Sequence, residues 1–379
     1  MFDLYDAVGR GMWAYAHAAF RVEKLGQRYF RLEPGTVIVA THRRESDVPI
    51  LAQGLYFSAD LRRKPGDRMK FAARDDMFLP GFFAGFPDGL PRWARRALYP
   101  LSVARGLQAV WVYPIRSAKV ARLGEVLRAN PTAALAELLP EEHVAALRER
   151  AADIGLQPPL VASDVVGADY ADLLWRPVEP QDFPQGDLTG FWGRRAGDAV
   201  RDFRTLVELI RAPGTVLVFP EGRPSPDGEI GPLRPGVGAL IRRGQARLVR
   251  PLALTYDPLV RGRTRVYVAQ PEPVPPPESD VEAALLGLMR RSMPLTAGQY
   301  AAHRLVQGAR ADPGELERGL VQAVEAAQAE GRLVEPLLLT ADGRRRRLGE
   351  ALAVAPRKPE ALPYLAREYT SAREPVQAP

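Results

Sequence analysis

The sequence predicts an α/β protein built on a mixed, largely parallel sheet flanked by helices, and two stretches carry that prediction. Pro34 to Leu51 opens on a Pro34-Gly35 turn, runs through the β-branched segment Thr36 to Ala40 without alternation, and then breaks off into polar residues. Pro213 to Gly222 repeats the same grammar: a Pro213-Gly214 turn, Thr215-Val216, an apolar run to Phe219, and an abrupt polar end at Glu221. A short continuous apolar run bounded by turn signals suits a strand covered on both faces, as in a parallel sheet.

The remaining elements follow in order. Phe2 to Leu25 reads as a helix rich in apolar and aromatic bulk, which either covers the sheet or lies at a lipid interface. Asp47-Val48-Pro49 reads as a helix start, with Asp47 as N-cap and proline in the first turn. Leu55 to Ser58 suits a further strand, followed by the basic stretch Arg62-Arg63-Lys64. Met77 to Phe86 is aromatic and broken by glycine; it suits the wall of a pocket for an apolar chain, a segment dipping into lipid, or a buried loop. Trp93 to Ala104 reads as helix and Ala109 to Tyr113 as a strand leading to Arg116.

Beyond residue 120 the composition changes. Leu123 to Leu127 and Ala133 to Ala152 read as helices, whereas the prolines of Gln157 to Gly193 discourage long elements. The stretch from about 120 to 197 therefore predicts a helical insertion, a cap or lid over one end of the sheet. Asp198 to Arg211 resumes a helical pattern and feeds the Thr215 strand. Pro271 to Pro277 is a semi-rigid linker. The domain plan is thus residues 1–275, with that insertion, and a helical C-terminal extension over 276–379. In the extension Asp280 to Met293, Ala297 to Ala309 and Pro313 to Glu330 are helical by pattern, with Asp280 and Asp312 as caps. The run Arg344 to Arg347, after a turn at Asp342-Gly343, reads as a solvated face, and the final dozen residues as disordered.

Composition excludes more than it selects. The chain has 379 residues, a formal charge of +7 and no cysteine, which removes disulfides, thiolate nucleophiles and cysteine metal sites. Four scattered histidines make no coordination pattern, so no metal is expected; His17 and His143 read as structural and solvated. Of the 52 basic residues only five are lysine, a bias toward the group that pairs best with phosphate. The basic balance fits an anionic membrane surface, a phosphorylated substrate or nucleic acid, and of these nucleic acid is not the expected partner. The N-terminus carries acids where an export signal needs bases, and no apolar run approaches the ~18–20 residues of a spanning helix. The expectation is a cytoplasmic protein, peripheral on the inner face of the cell membrane.

His42 and Asp47 hold the candidate chemistry. Their spacing of five brings them together on neither strand nor helix, so Arg43 to Ser46 must supply a turn. The result is an imidazole at the carboxyl end of a strand facing a carboxylate at a helix start, where open α/β sheets place ligands.

Together, His42-x4-Asp47 and Phe219-Pro220-Glu221-Gly222 on matching strands resemble the glycerolipid acyltransferase family of the lysophosphatidate acyltransferase type. Gly106 to Arg116, a strand ending in arginine, resembles the family's second block, and Leu248 to Leu254, apolar with an internal proline, its fourth. The family usually reads Phe-Pro-Glu-Gly-x-Arg-Ser; here Pro224 stands at the arginine position and Arg223 one place earlier.

The resemblance implies a glycerol-phosphate acyltransferase-like fold and direct transfer of an acyl group from acyl-CoA or acyl carrier protein to a lysophospholipid-type acceptor, foremost 1-acylglycerol 3-phosphate. No cofactor is implied beyond the donor. His42 would be the general base and Asp47 its orienting partner; Glu221 and Gly222 would belong to the acceptor site, with Arg116, Arg223 and Arg234 as phosphate ligands, Arg116 foremost. A different lipid acceptor, or a basic membrane- or nucleic-acid-binding protein without catalysis, are the alternatives.

Overall fold

The computed structural model describes residues 3–26, 33–56, 68–85, 90–183, 188–212, 214–308 and 312–374. Its strands are β1 (Arg21–Leu25), β2 (Thr36–Ala40), β3 (Met69–Arg74), β4 (Val112–Ile115), β5 (Ala121–Arg122), β6 (Pro177–Val178), β7 (Thr215–Val218), β8 (Leu248–Asp257) and β9 (Arg265–Ala269). Seven of them form one sheet in the order β1-β9-β8-β2-β7-β3-β4. The pairs β2–β7, β2–β8, β3–β7 and β1–β9 are parallel and β8–β9 is antiparallel. The fold is therefore α/β with a mixed, mostly parallel sheet.

The chain divides into two compact units. The first comprises Met1–Phe71 and Leu206–Pro379, the second Ala72–Thr205. In the first, β2 lies between β7 and β8 and every one of its residues is buried, which is why Thr36 to Ala40 shows no alternation. The two repeated stretches pair in register, Thr36 beside Thr215 and Val39 beside Val218. From a matching start β2 runs only one residue longer than β7, so both chains leave the sheet at nearly one level. Gly35 has φ +73°, a conformation only glycine adopts without cost, and donates its N–H to the Gly214 carbonyl at 3.0 Å.

Several boundaries depart from expectation. The N-terminal helix covers only Leu4–Ala19; Phe20 is extended, and Arg21 to Leu25 form the edge strand β1 beside β9. Partnership with β9 overrides the local helical pattern there. Leu55 and Tyr56 end the helix Asp47–Tyr56 instead of starting a strand; Phe57, Ser58 and the basic stretch at 62–64 lie outside the described residues.

The C-terminal helices Ala297–Val306, Pro313–Ala329, Ala341–Val354 and Ala361–Ser371 belong to the first unit and share a core that includes Leu259, Leu320, Leu348 and Leu365. Ordered helix through Ser371 corrects the reading of the final dozen residues as disordered, residues 375–379 being outside the described set. Asp312 caps its helix, accepting from the Gly314 and Glu315 N–H groups, whereas Asp280 makes no such bond. Asp342 and Gly343 lie within the helix Ala341–Val354, not in a turn. Nor is the arginine run all solvated. Arg347 is 1% exposed, with Glu335 at 2.5 Å, Asp257 at 2.8 Å and Glu350 at 2.6 Å.

The second unit has its own core, centred on Leu123, Val126, Leu127, Leu147 and Leu174. Proline 140 divides the expected 133–152 helix into Leu135–Leu138 and Glu141–Asp153. The expected Trp93–Ala104 helix is Arg92–Leu98, and Ala104–Ala109 is a separate short helix, so β4 starts only at Val112. Arg195 binds Asp75 and Glu125 at 2.7 Å each, and Arg122 binds Asp76 at 2.6 Å. Phe82 packs edge-on against Trp175; Phe86 lies outside the described residues, as does the Phe83 side chain. No helix among the described residues is long and apolar enough to cross a membrane.

Candidate active site

β2 delivers Thr41 and His42 at its carboxyl end, and β7 delivers Phe219 to Gly222 beside them. The His42 ring stacks on Phe219 with centroids 4.3 Å apart and planes 26° from parallel. Its Nδ1 lies 2.9 Å from Asp47 Oδ2. The same oxygen accepts the backbone N–H groups of Arg43 at 2.5 Å and Arg44 at 2.9 Å, and Oδ1 accepts the Tyr256 hydroxyl at 2.6 Å. Asp47 is fully buried, and its side chain reaches back into the 43–44 turn instead of capping the helix it begins, correcting the N-cap assignment.

This arrangement fixes the tautomer. A carboxylate only accepts, so His42 Nδ1 is the donor and Nε2 keeps its lone pair. Burial, then the Asp47 charge, raises the Tyr256 pKa far above its ordinary value, so its hydroxyl remains a donor. No described residue hydrogen-bonds Nε2, and the ring keeps about 10% of its side-chain surface exposed.

Glu221 faces inward. Its Oε1 accepts the His42 backbone N–H at 2.8 Å and its Oε2 the Gly231 N–H at 3.3 Å. Burial pushes its pKa up, and the nearby Arg43 charge opposes the rise. The His42 carbonyl accepts from the Ser225 N–H at 2.8 Å. Both main-chain polar groups of His42 are thus held by the loop after β7. Ser225 Oγ accepts the Gly228 N–H at 3.0 Å and Ser46 Oγ pairs with the Tyr256 hydroxyl at 2.9 Å.

The candidate arginines have different surroundings. Arg223 and Arg234 are exposed and make no ion pair among the described residues. The Arg234 N–H donates to the Pro220 carbonyl at 2.8 Å, and its side chain lies so close to Gly222 that a Cβ there would stand 2.9 Å from Nε. Gly222 has φ +74°, so glycine is needed both for the turn and for that approach. Arg116 belongs to the second unit, directly after β4, and its Nη1 is 3.4 Å from both Asp198 and Asp202.

Sequence reasoning missed three contributors. Arg43 is 3% exposed; its Nη1 donates to the Gly228 carbonyl at 3.1 Å and its Nε lies 3.4 Å from Glu368 of the helix Ala361–Ser371. Glu368 is wholly buried, which pushes its pKa up to about 7 against the pull of Arg43, and it accepts from Gln299 Nε2 at 2.9 Å. Tyr256, on β8, completes the Asp47 shell. Among these, only Arg43 had a signal, a charged residue between a buried strand and a buried helix; Tyr256 and Glu368 depend on chain topology. Among the described residues no cluster of three metal-binding side chains occurs.

No family model matches the sequence, and no curated protein matches it significantly. Among solved structures the chain is similar to the crystal structure of the 1-acyl-sn-glycerophosphate (LPA) acyltransferase PlsC from Thermotoga maritima. Identity is 15%, 73% of this chain and 71% of that chain are covered, and the TM-score is 0.35. The two chains are too dissimilar for residue roles to pass between them.

Proposed function

We propose that the chain is an O-acyltransferase in which His42 is the general base. The observation that carries this reading is the His42–Asp47 pair: Nδ1 is anchored on a buried carboxylate with three further donors, leaving Nε2 as the basic atom. Nε2 takes the proton of an acceptor hydroxyl as that oxygen attacks the thioester carbonyl. Collapse of the tetrahedral intermediate breaks the C–S bond, and the imidazolium returns its proton to the departing thiolate. Asp47 stabilises the imidazolium between those steps. Ser46 and Ser225 both have their hydroxyls engaged in the loops, which favours direct transfer over an acyl-enzyme.

Glu221 is assigned as a positioning residue, because both oxygens hold main-chain N–H groups. Arg234 and Arg223 take the acceptor's phosphate, since their charges are not answered by carboxylates among the described residues. Arg116, set between two aspartates, is a weaker choice than the sequence suggests. The motif resemblance favours acyl-CoA or acyl carrier protein as donor and 1-acylglycerol 3-phosphate as acceptor. Work at a bilayer surface is part of this reading, and Trp93, 75% exposed, suits contact with lipid, while Arg92, Arg95 and Arg96 of its helix are held by Asp169 and Asp172. The test is incubation with acyl-CoA and a panel of acceptors, following thiol release and product mass. Absence of release with every phosphate-bearing lysolipid and with glycolipid acceptors would overturn it.

A further inference from the structure

We infer that an arginine-lined cavity beside strands β1 and β9 binds a phosphate-bearing group with two or more negative charges. The cavity measures about 600 Å³ and is lined by Arg21, Arg261, Arg265, Arg345, Arg346 and Arg347, with Glu350 its single carboxylate. It shares no residue with the site around His42, and it stands whether or not that site transfers acyl groups.

Separate parts of the chain converge to make it. Arg21 opens β1 and Arg265 opens β9, and the two are register partners on adjacent strands. Like charges at paired positions disfavour a sheet; Glu23, 3.3 Å from both Nε atoms, and Glu335, 3.0 Å from Arg265 Nη1, offset the repulsion. Arg345, Arg346 and Arg347 come from one helix turn, and Arg261 from the loop joining β8 to β9.

Charge separates the floor from the rim. On the floor, Arg347 meets Asp257, Glu335 and Glu350, and Arg265 meets Glu335 at 3.0 Å. At the rim, Arg261 and Arg346 are exposed and make no ion pair among the described residues. The backbone under the rim is held: the Arg261 N–H donates to Glu350 Oε1 at 2.8 Å, and Arg347, next to Arg346 in the helix, is bound by three carboxylates. Guanidinium groups without a carboxylate partner leave their charge and donors available to an anion.

The lining also selects the occupant. Guanidinium forks match phosphate oxygens in bidentate pairs. No aromatic ring lines the cavity to stack a base, and one leucine, Leu337, is too little to hold an acyl chain. A compact polyanion remains, either a soluble phosphate compound or the phosphate of a lipid headgroup.

Inorganic pyrophosphate is the probe, titrated calorimetrically into the full chain at low salt. Wild-type protein should bind it saturably, and Arg261→Ala/Arg346→Ala should raise Kd by about tenfold or more, while Arg148→Ala, a change at an exposed arginine of the second unit, leaves Kd unchanged. Both altered side chains are exposed and unpaired, and circular dichroism checks that the fold persists. Lack of saturable binding, or binding unaffected by the double change, overturns the proposal. Vesicles of phosphatidylcholine with phosphatidate identify the source: displacement by pyrophosphate, lost in the double variant, assigns a lipid headgroup, and pyrophosphate binding without displacement assigns a soluble ligand.

Discussion

The backbone N–H of His42 donates to Glu221 Oε1 across 2.8 Å, joining residues 179 apart in the chain. The side chain that most resembles an acceptor-binding acid is thereby a brace for the proposed base. Glu221→Gln retains a carbonyl acceptor and should keep most of the turnover. Glu221→Ala leaves a buried N–H unpaired, at a cost of about 1–3 kcal/mol, and should lower kcat with little change in the acceptor KM. A selective rise in that KM would instead place Glu221 against substrate.

Removing the base itself should be more severe. His42→Ala is expected to lower kcat by about 10²–10⁴-fold with little change in thermal stability, whereas Asp47→Asn should retain a residual rate. Thiol release with acyl-CoA measures both. Near-wild-type activity in His42→Ala would sink the mechanism.

Tyr256 offers a test of the carboxylate's surroundings. Tyr256→Phe removes a 2.6 Å hydrogen bond to Asp47, and a bond to a charged group is worth about 1.5–3 kcal/mol. A comparable fall in unfolding free energy and a lower kcat are expected. Unchanged chemical denaturation would show that the bond contributes nothing.

Glu368 should make stability depend on pH. Its pKa rises from 4.5 in the unfolded chain to about 7 in the folded one, so the native state holds its proton longer. The associated stability is complete below about pH 4.5 and is lost as pH rises toward 7. Denaturation midpoints taken between pH 5 and 8 should therefore fall with a slope that Glu368→Gln flattens. An identical slope in the variant would remove Glu368 as its source.

Trp93 tests the membrane reading. Trp93→Ala should weaken association with anionic vesicles while leaving turnover of a short-chain soluble acceptor unchanged, and rising salt should weaken binding further. Co-sedimentation measures it; no vesicle binding by active wild-type protein at low salt would refute surface action.

The sheet and the His42–Asp47 pair were legible because they depend on local pattern. Thr36 to Ala40 and Thr215 to Val218 announce themselves by unbroken apolar residues between turns, and five residues of spacing force the turn that brings His42 to Asp47. What could not be read depends on partners distant in sequence. Arg21 to Leu25 is a strand only because β9 is beside it, and Arg347 is buried only because Asp257 and Glu335 await it. Four consecutive arginines look alike in sequence, and only the packing of their helix separates the one that turns inward.

The Arg43–Glu368 contact also bears on how the protein comes into being. Synthesis proceeds from the amino end, so β2 and the His42 turn leave the ribosome long before the helix Ala361–Ser371 exists. Until then Arg43, destined for full burial, lacks its carboxylate, while β2 stands unpaired only until β7 and β8 have been made. Contacts so distant in sequence form slowly, and the nascent chain must keep an unpaired strand from foreign partners meanwhile. A chain made only as far as β8 therefore has the sheet partners of β2 but leaves Arg43, next to His42, without the Glu368 carboxylate.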